Sequence, residues 1–275
     1  MSIARSRARQ LAKETVDIIE NGFYLNSQGR KVSLASKIEA SVAGTVTSPP
    51  KASLELPECP VPARRLAFDV RNESSLDAAQ RLVRDGVRPM VLNFASAKNP
   101  GGGFLNGARA QEESLCRSSA LYASINGNEM YAYHRERHDP TYSHYAIYSP
   151  DVPVFRLEDG ALLDDYFLAS FITCPAVNAQ VARRRNPQKE EKIKPIMRAR
   201  IERVLTTAAI QGHEALVLGA WGCGVFGNNT HDIATLFHEA LTGPFSGYFS
   251  QVTFAVLDWS DEKRFIGPFQ RVFEV

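Results

Sequence analysis

The sequence predicts an α/β fold of three layers, with helices on both faces of a mixed central sheet and a helical extension at the N-terminus. Three observations carry that expectation. From Leu66 onward, short apolar runs alternate with segments of helical period, as expected of strands covered by helices. Two of those runs lead directly into glycine-rich loops, after Phe94 and after Leu218. Finally, 44% apolar against 23% charged residues over 275 positions can bury a sizeable core without disulfide or metal staples.

Residues 5–21 read as an amphipathic helix with Leu11, Ile18 and Ile19 on one stripe, stopped by Gly22. Phe23–Leu25 and Lys31–Leu34 flank a turn at Asn26–Arg30 and read as a hairpin, followed by a short helix over 35–43. Val46–Pro62 holds five of the fifteen prolines and reads as a connector, so residues 1–61 form the extension and 62–275 the main domain. Leu66–Val70 is the next strand, and Ser74 or Ser75 caps a helix over Leu76–Arg84 that Gly86 ends. Met90–Phe94 reads as a buried strand with Pro89 at its first position. A helix from about Gln111 to Tyr122 follows the first glycine loop. Strands are expected at His144–Tyr148, Tyr166–Cys174, Ala215–Leu218 and Val252–Leu257, with helices near 190–211, 231–241 and 261–272.

Several function classes drop out on composition. Thirty-two Lys and Arg against 30 Asp and Glu leave a formal net charge of +2, which argues against direct DNA or RNA binding. No apolar stretch approaches a membrane span. Cys59, Cys116, Cys174 and Cys223 lie far apart, unlike the close pairs of a metal site, and suit free thiols in a reducing cytoplasm. The basic start (Arg5, Arg7, Arg9, Lys13) lacks a signal core, and Glu14, Asp17 and Glu20 are foreign to a transit peptide, so a cytoplasmic location is expected.

The chemistry concentrates in the two glycine loops. In such sheets ligands bind at the carboxyl ends of strands. Gly101-Gly102-Gly103 permits close approach of a ligand to the main chain, and Gln111-Glu112-Glu113 opens the helix that follows. A lone Glu pair there would ordinarily serve the helix dipole. The second loop, Gly219 to Asn228, alternates glycines with larger residues between a strand and a helix, and so offers backbone N–H groups to a phosphate or diphosphate. It has neither a Walker ending nor the dinucleotide-binding glycine spacing.

Together, the GGG…QEE pattern and the strand-terminal GAWGCGVFGN resemble the poly(ADP-ribose) glycohydrolases, specifically their shorter bacterial-type branch. The resemblance runs from about Pro62 to Asp258, and the leading helix and hairpin are similar too. It implies a macrodomain-like sandwich that hydrolyses the ribose–ribose bonds of poly(ADP-ribose) or of chains on ADP-ribosylated proteins. The product would be ADP-ribose, released mainly from the chain end, with no cofactor and no metal. It also implies that Glu113 is the catalytic acid and that Glu112 holds the ribose hydroxyl beside the scissile bond. Gly101, Gly102 and Gly103, with Asn99 and Gln111, would wrap the distal ribose and diphosphate. Gly222, Cys223, Gly224, Val225 and Gly227 would form the diphosphate loop, with Phe226 over the distal ribose. The tyrosine clasp of the animal enzymes has no counterpart. Where many relatives carry an Asn four positions before the triglycine this chain has Ala97, with Ser96 and Asn99 as substitutes.

Elementary geometry agrees with divided roles. Neighbouring helical residues point about 100° apart, so the two glutamates cannot flank a bond as an ordinary glycosidase pair does. A helix N-terminus lowers a carboxyl pKa, whereas burial and a nearby diphosphate raise it. Trp259 and Asn72, with Ser74, stand as adenine-side candidates. His134, His138, His144 and Asp139 read as a solvated helix end rather than a metal site. The basic run from Arg183 to Arg203 reads as a solvated face that also could steer a polyanion. Cys223 has no activating His near it in sequence. Two rival functions remain at this stage: a non-catalytic reader of terminal ADP-ribose, in which paired acids would cost affinity, and a hydrolase of another ADP-ribosyl linkage.

Overall fold

The computed structural model describes residues 3–60 and 62–274. Its first helix, α1 (Arg5–Asn21), buries Ala8, Leu11, Ala12 and Thr15, one stripe at helical spacing. Gly22, in the left-handed region, closes it by an N–H bond to Ile18 O of 2.9 Å. Strands β1 (Phe23–Leu25) and β2 (Lys31–Ser33) pair as the expected hairpin, and α2 (Ala35–Ala43) follows. The segment read as a connector begins with a strand: β3 (Val46–Ser48) pairs antiparallel with residues 146–148 and forms one edge of the main sheet. Three residues without an alternating pattern carry no strand signal, and only the distant partner makes them one.

The rest of the main domain alternates largely as expected, with two further helices over 129–136 and 179–185. In order come β4 (Ala67–Arg71), α3 (Ser75–Arg84), β5 (Pro89–Phe94), α4 (Gln111–Ser118), α5 (Leu121–Ile125), α6 (Glu129–Glu136), β6 (Ala146–Arg156) and β7 (Leu162–Cys174). Then follow α7 (Ala179–Arg185), α8 (Glu190–Ile210), β8 (Ala215–Leu218), α9 (Thr230–Thr242), β9 (Gln251–Ala255) and α10 (Ile266–Phe273). Ser74 caps α3 by accepting from Asp77 N. The single helix expected over 111–122 is two. Ser119 is extended, bridges to Val154 of β6, and caps its own break by donating to Leu115 O at 2.7 Å. β6 runs past the expected Tyr148 because a register shift between Ser149 and Val152 absorbs Pro150 and Asp151.

The seven-stranded sheet has the order β3-β6-β7-β5-β8-β9-β4. From β7 to β4 every neighbouring pair is parallel, while β6 and β3 run against their neighbours. The carboxyl ends Cys174, Phe94, Leu218, Ala255 and Arg71 therefore lie along one edge, which gathers both glycine loops, Asn72 and Trp259. Side-chain alternation along β5 divides the core. Met90 and Leu92 pack with α8, α9 and α10, whereas Val91 packs with α3, α4 and α5 and with Ala12 of α1 and Ile38 of α2. Among the described residues no helix is long and apolar enough to cross a membrane.

Candidate active site

Both glutamates that open α4 are buried, Glu112 at 3% and Glu113 at 9% exposure. The first glycine loop folds back over them. Ser96 N–H donates to Glu112 Oε2 at 2.6 Å, and Gly103 N–H donates to Glu113 Oε1 at 2.9 Å. Gly102 has φ of +60°, and a Cβ on it would collide with the Glu113 carboxylate, so only glycine fits between loop and acid. Phe104, fully buried, supports Gly101 from below and packs on Tyr122 at 4.8 Å.

Gln111 is fully engaged inward. Its Oε1 accepts from Phe94 N at 2.9 Å, and its Nε2 donates to Leu92 O at 2.8 Å and Ser75 Oγ at 3.1 Å. It staples the start of α4 to the end of β5. Asn99 is exposed, and its carbonyl accepts from Gly102 N at 2.9 Å. Ser96, beside the buried Ala97, supplies the backbone contact to Glu112.

The electrostatics separate the two acids. Burial pushes the Glu112 carboxyl up to about 8, against the Ser96 N–H bond, and the Glu113 charge adds to the rise. Burial thus outweighs the helix N-terminus, and Glu112 holds its proton at neutral pH. Its buried Oε1 has no hydrogen-bond partner among the described residues. One contributor escaped the reading of the sequence. Asn93, fully buried on β5, bonds Thr173 Oγ1 at 3.1 Å and directs its amide to Glu112. Its signal was a lone amide inside an otherwise apolar strand.

The second loop leaves β8 through Trp221, fully buried, whose Nε1 donates to Cys174 O at 3.2 Å. Gly222 has φ of +73°, and a Cβ would lie 2.5 Å from Ala176 Cβ and 2.6 Å from Asn228 Nδ2. Asn228, also unforeseen, ties the loop ends by donating to Val177 O and Gly222 O. Gly224 has nothing within 4 Å of a built Cβ, and Val225 is 84% exposed. Phe226 is half-buried, 6.0 Å from the ring of Tyr142, and its carbonyl accepts from Gln180 N. Gly227 O accepts from Arg183 Nη1 at 2.7 Å. Cys223 is buried and its thiol is pushed up to about 12 by desolvation, which removes it as a nucleophile.

At the far end of the edge, Asn72 is engaged by the last loop: its amide donates to Asp258 O at 2.7 Å and accepts from Asp258 N at 3.0 Å. Burial opposes ionisation of Asp258. Bonds from the Ser260 hydroxyl and from Ile266, Ser260 and Phe265 N–H groups nonetheless hold its carboxyl down to about 2. That anchored loop presents Trp259, 79% exposed, at the rim, while Ser74 stays in its cap.

Two surface readings change. His134 is buried, not solvated; it bonds Ser143 Oγ at 2.8 Å, and burial lowers its pKa to about 4, as it does for His144. His138 is exposed, and Asp139 pairs with Lys189. No group of three His, Cys, Asp or Glu among the described residues is arranged to hold a metal ion. In the basic run, Arg200 is fully buried on Pro175 O and Thr141 O, while Arg183, Lys194 and Arg198 pair with Glu190, Asp232 and Glu239. The rest of the run largely stays on an exposed face, as expected, with several of its charges paired within the molecule.

An α/β/α sandwich that packs a glycine loop on two buried glutamates, beside a second glycine-rich loop on the same edge of the sheet, has the architecture of a macrodomain-like glycosidase. Comparison with known proteins specifies it. The microbial-type PARG catalytic domain family matches residues 12–157. The poly(ADP-ribose) glycohydrolase of Thermomonospora curvata superposes with TM-score 0.89 at 42% identity over 97% of this chain and 99% of that one. The same enzyme bound to the inhibitor ADP-HPD gives 0.88 at 43% over the same shares. That of Deinococcus radiodurans in complex with ADP-ribose gives 0.81 at 40% over 86% of this chain and 97% of that one. No curated protein sequence matches. The chain belongs to the microbial-type poly(ADP-ribose) glycohydrolases, and its activity is hydrolysis of poly(ADP-ribose).

Proposed function

We propose that Glu113 protonates the leaving oxygen of the ribose–ribose bond while Glu112 holds the adjacent ribose hydroxyl. The observation that carries this division is the pair of backbone contacts, Ser96 to Glu112 and Gly103 to Glu113, with the free Glu112 Oε1 beside them. Glu112, neutral at pH 7, adds no charge near a diphosphate and can donate to a hydroxyl. As the anomeric C–O bond breaks through an oxocarbenium-like state, Glu113, which enters the step as the protonated acid in the substrate complex, passes its proton to the departing oxygen. Water then attacks the anomeric carbon and returns a proton to the Glu113 carboxylate. No cofactor or metal enters this sequence.

The triglycine, with Asn99, wraps the distal ribose in this reading, and Gln111 positions the loop. Gly222–Gly227, Cys223, Gly224 and Val225 included, takes the diphosphate, with Phe226 on the distal ribose and Tyr142 behind it. ADP-ribose and ADP-HPD, bound by the Deinococcus and Thermomonospora enzymes, are taken as ligands here as well. Asn72 braces Asp258, and Trp259 borders the adenosine end, so action falls mainly at the chain terminus. Residues 1–61 serve as an extension to a catalytic unit over 62–275. A reducing cytoplasm suits the four free thiols.

One experiment tests both the acid and the direction: a length-resolved time course on long poly(ADP-ribose) with wild type and Glu113→Ala. Wild type should release monomer from the start while chains shorten gradually, and the variant should lose about 10²–10⁴-fold in turnover. ADP-ribose affinity of the variant, by calorimetry, should stay within several-fold. Retained hydrolysis overturns Glu113 as the acid, and early mid-length free oligomers overturn terminal action.

A further inference from the structure

The N-terminal helix carries a charge arrangement that its own fold does not explain. α1 begins after Ala4 with no side-chain cap and no acid in its first turn. Arg5, Arg7 and Arg9 nevertheless crowd its positive end, where cations are disfavoured. Arg7 reaches Glu14 at 3.5 Å, but among the described residues no carboxylate pairs with Arg5, Arg9 or Arg109.

These arginines converge on the catalytic loop. Arg5 Nε donates to Asn106 O at 3.2 Å, and Arg109 Nη1 donates to Ile3 O at 2.9 Å. Gly107 packs so closely under the Arg5 carbonyl that a Cβ there would collide. Arg5, Ser6, Arg9 and Asn106 line an open cleft of about 470 Å³. A short 3₁₀ turn, Phe104–Asn106, separates it from Gly103, which holds Glu113. At about 2 Å rise per residue that spans about 6 Å, within one repeating unit of a polymer.

The side on which the cleft lies decides its ligand. Cys223 and Phe226 of the diphosphate loop pack with α8 and α9, on one face of the sheet. α1 packs with α4, whose first turn carries the glutamates, on the opposite face, so the cleft lies on the glutamates' side of the sheet and away from the diphosphate loop. A chain crossing the acids from the diphosphate loop meets these arginines next. We propose that the Arg5–Ser6–Arg9–Asn106 cleft, with Arg109 at its edge, binds the diphosphate of the ADP-ribose unit on the leaving-group side of the scissile bond. This inference rests on the catalytic reading above. Guanidinium groups match phosphate oxygens in a planar fork, and a dianion relieves the crowding at the helix start. The extension thus becomes part of the substrate path, not only a brace.

The test compares polymer with monomer in the full chain. Arg9→Glu/Arg109→Glu should raise KM for long poly(ADP-ribose) at least tenfold, with kcat within twofold. Its ADP-ribose affinity by calorimetry should stay within twofold, and Arg9→Lys/Arg109→Lys should recover most of the loss. The wild-type dependence of KM on salt should also be shallower in the Glu variant. A polymer KM within twofold of wild type overturns the subsite, as does a parallel loss of ADP-ribose affinity, which would indicate a diffuse field. Wild type that releases no ADP-ribose from polymer overturns the catalytic reading itself.

Discussion

The two glycine loops use the same residue for opposite ends. In the first, Gly101, Gly102 and Gly103 are pressed against Phe104, Cys116, Ala108 and the glutamates, and an added Cβ meets an atom within about 3 Å at each. In the second, the ends are clamped by Trp221, Gly222 and Asn228, while the tip at Gly224 and Val225 stands open. The first loop is packed and bonded against the two glutamates. Carboxylates occupy the space a side chain would need at Gly102, Phe104 and Cys116 crowd Gly101, and Ala108 crowds Gly103. The second is a rim, and its central glycine leaves room for something outside the protein. A triglycine therefore signals different things according to what lies against it, and only the neighbours decide which.

That contrast predicts a graded series. The largest effect is expected at Gly102. Gly102→Ala places a methyl group against the Glu113 carboxylate at φ of +60°. Displacing an acid by 1 Å costs about 10²-fold in rate, and the strained backbone costs about 1 kcal/mol or more in stability. Polymer turnover and thermal melting check both; near-normal turnover would mean that the loop does not set the acid's position.

Gly224→Val should leave the fold alone, because open space surrounds the position. Its melting temperature is expected within about 2 °C of wild type, whereas ADP-ribose affinity falls at least tenfold. A variant that binds normally would place the diphosphate away from this rim and break the comparison at its second term.

The third effect is on stability alone and concerns the proton on Glu112. Its folded pKa of about 8 lies above the ordinary carboxyl value of 4.5. The folded state therefore keeps a proton that the unfolded state has lost. Stability from this source is complete below about pH 4.5 and declines as pH rises through 8, by about 1.4 kcal/mol per pH unit between those limits. Glu112→Gln should remove that slope in chemical denaturation between pH 5.5 and 7.5. Equal slopes in the two proteins would show that Glu112 is already ionised at neutral pH.

Local chemistry made much of the molecule legible in advance. Gly22 and Ser74 announce the end of α1 and the start of α3 because a left-handed cap and an N-cap hydroxyl act within four residues. The strands that bear the two loops are apolar on both sides because helices cover both faces. The acid pair stood out by its distance from the triglycine, and the resemblance gave it a chemistry.

What stayed hidden depends on partners far along the chain. Val46–Ser48 is a strand only because β6 lies beside it, and α4 breaks at Ser119 only because Val154 is there to bridge. Arg200 reads as one more cation in a basic run until two carbonyls from other segments enclose it. Nor could residue order say that Glu112 keeps its proton at neutral pH. Desolvation decides that, and it is a property of everything packed around Glu112, Asn93 included. The same holds for Arg5 and Asn106, 101 residues apart yet bonded across the rim of the site. Sequence by itself determined the periodicity, the caps, the two loops and the acid pair, each set within a few residues. Tertiary structure alone decided burial, proton affinity and the face on which each charge is spent, because those energies come from neighbours that only folding brings within reach.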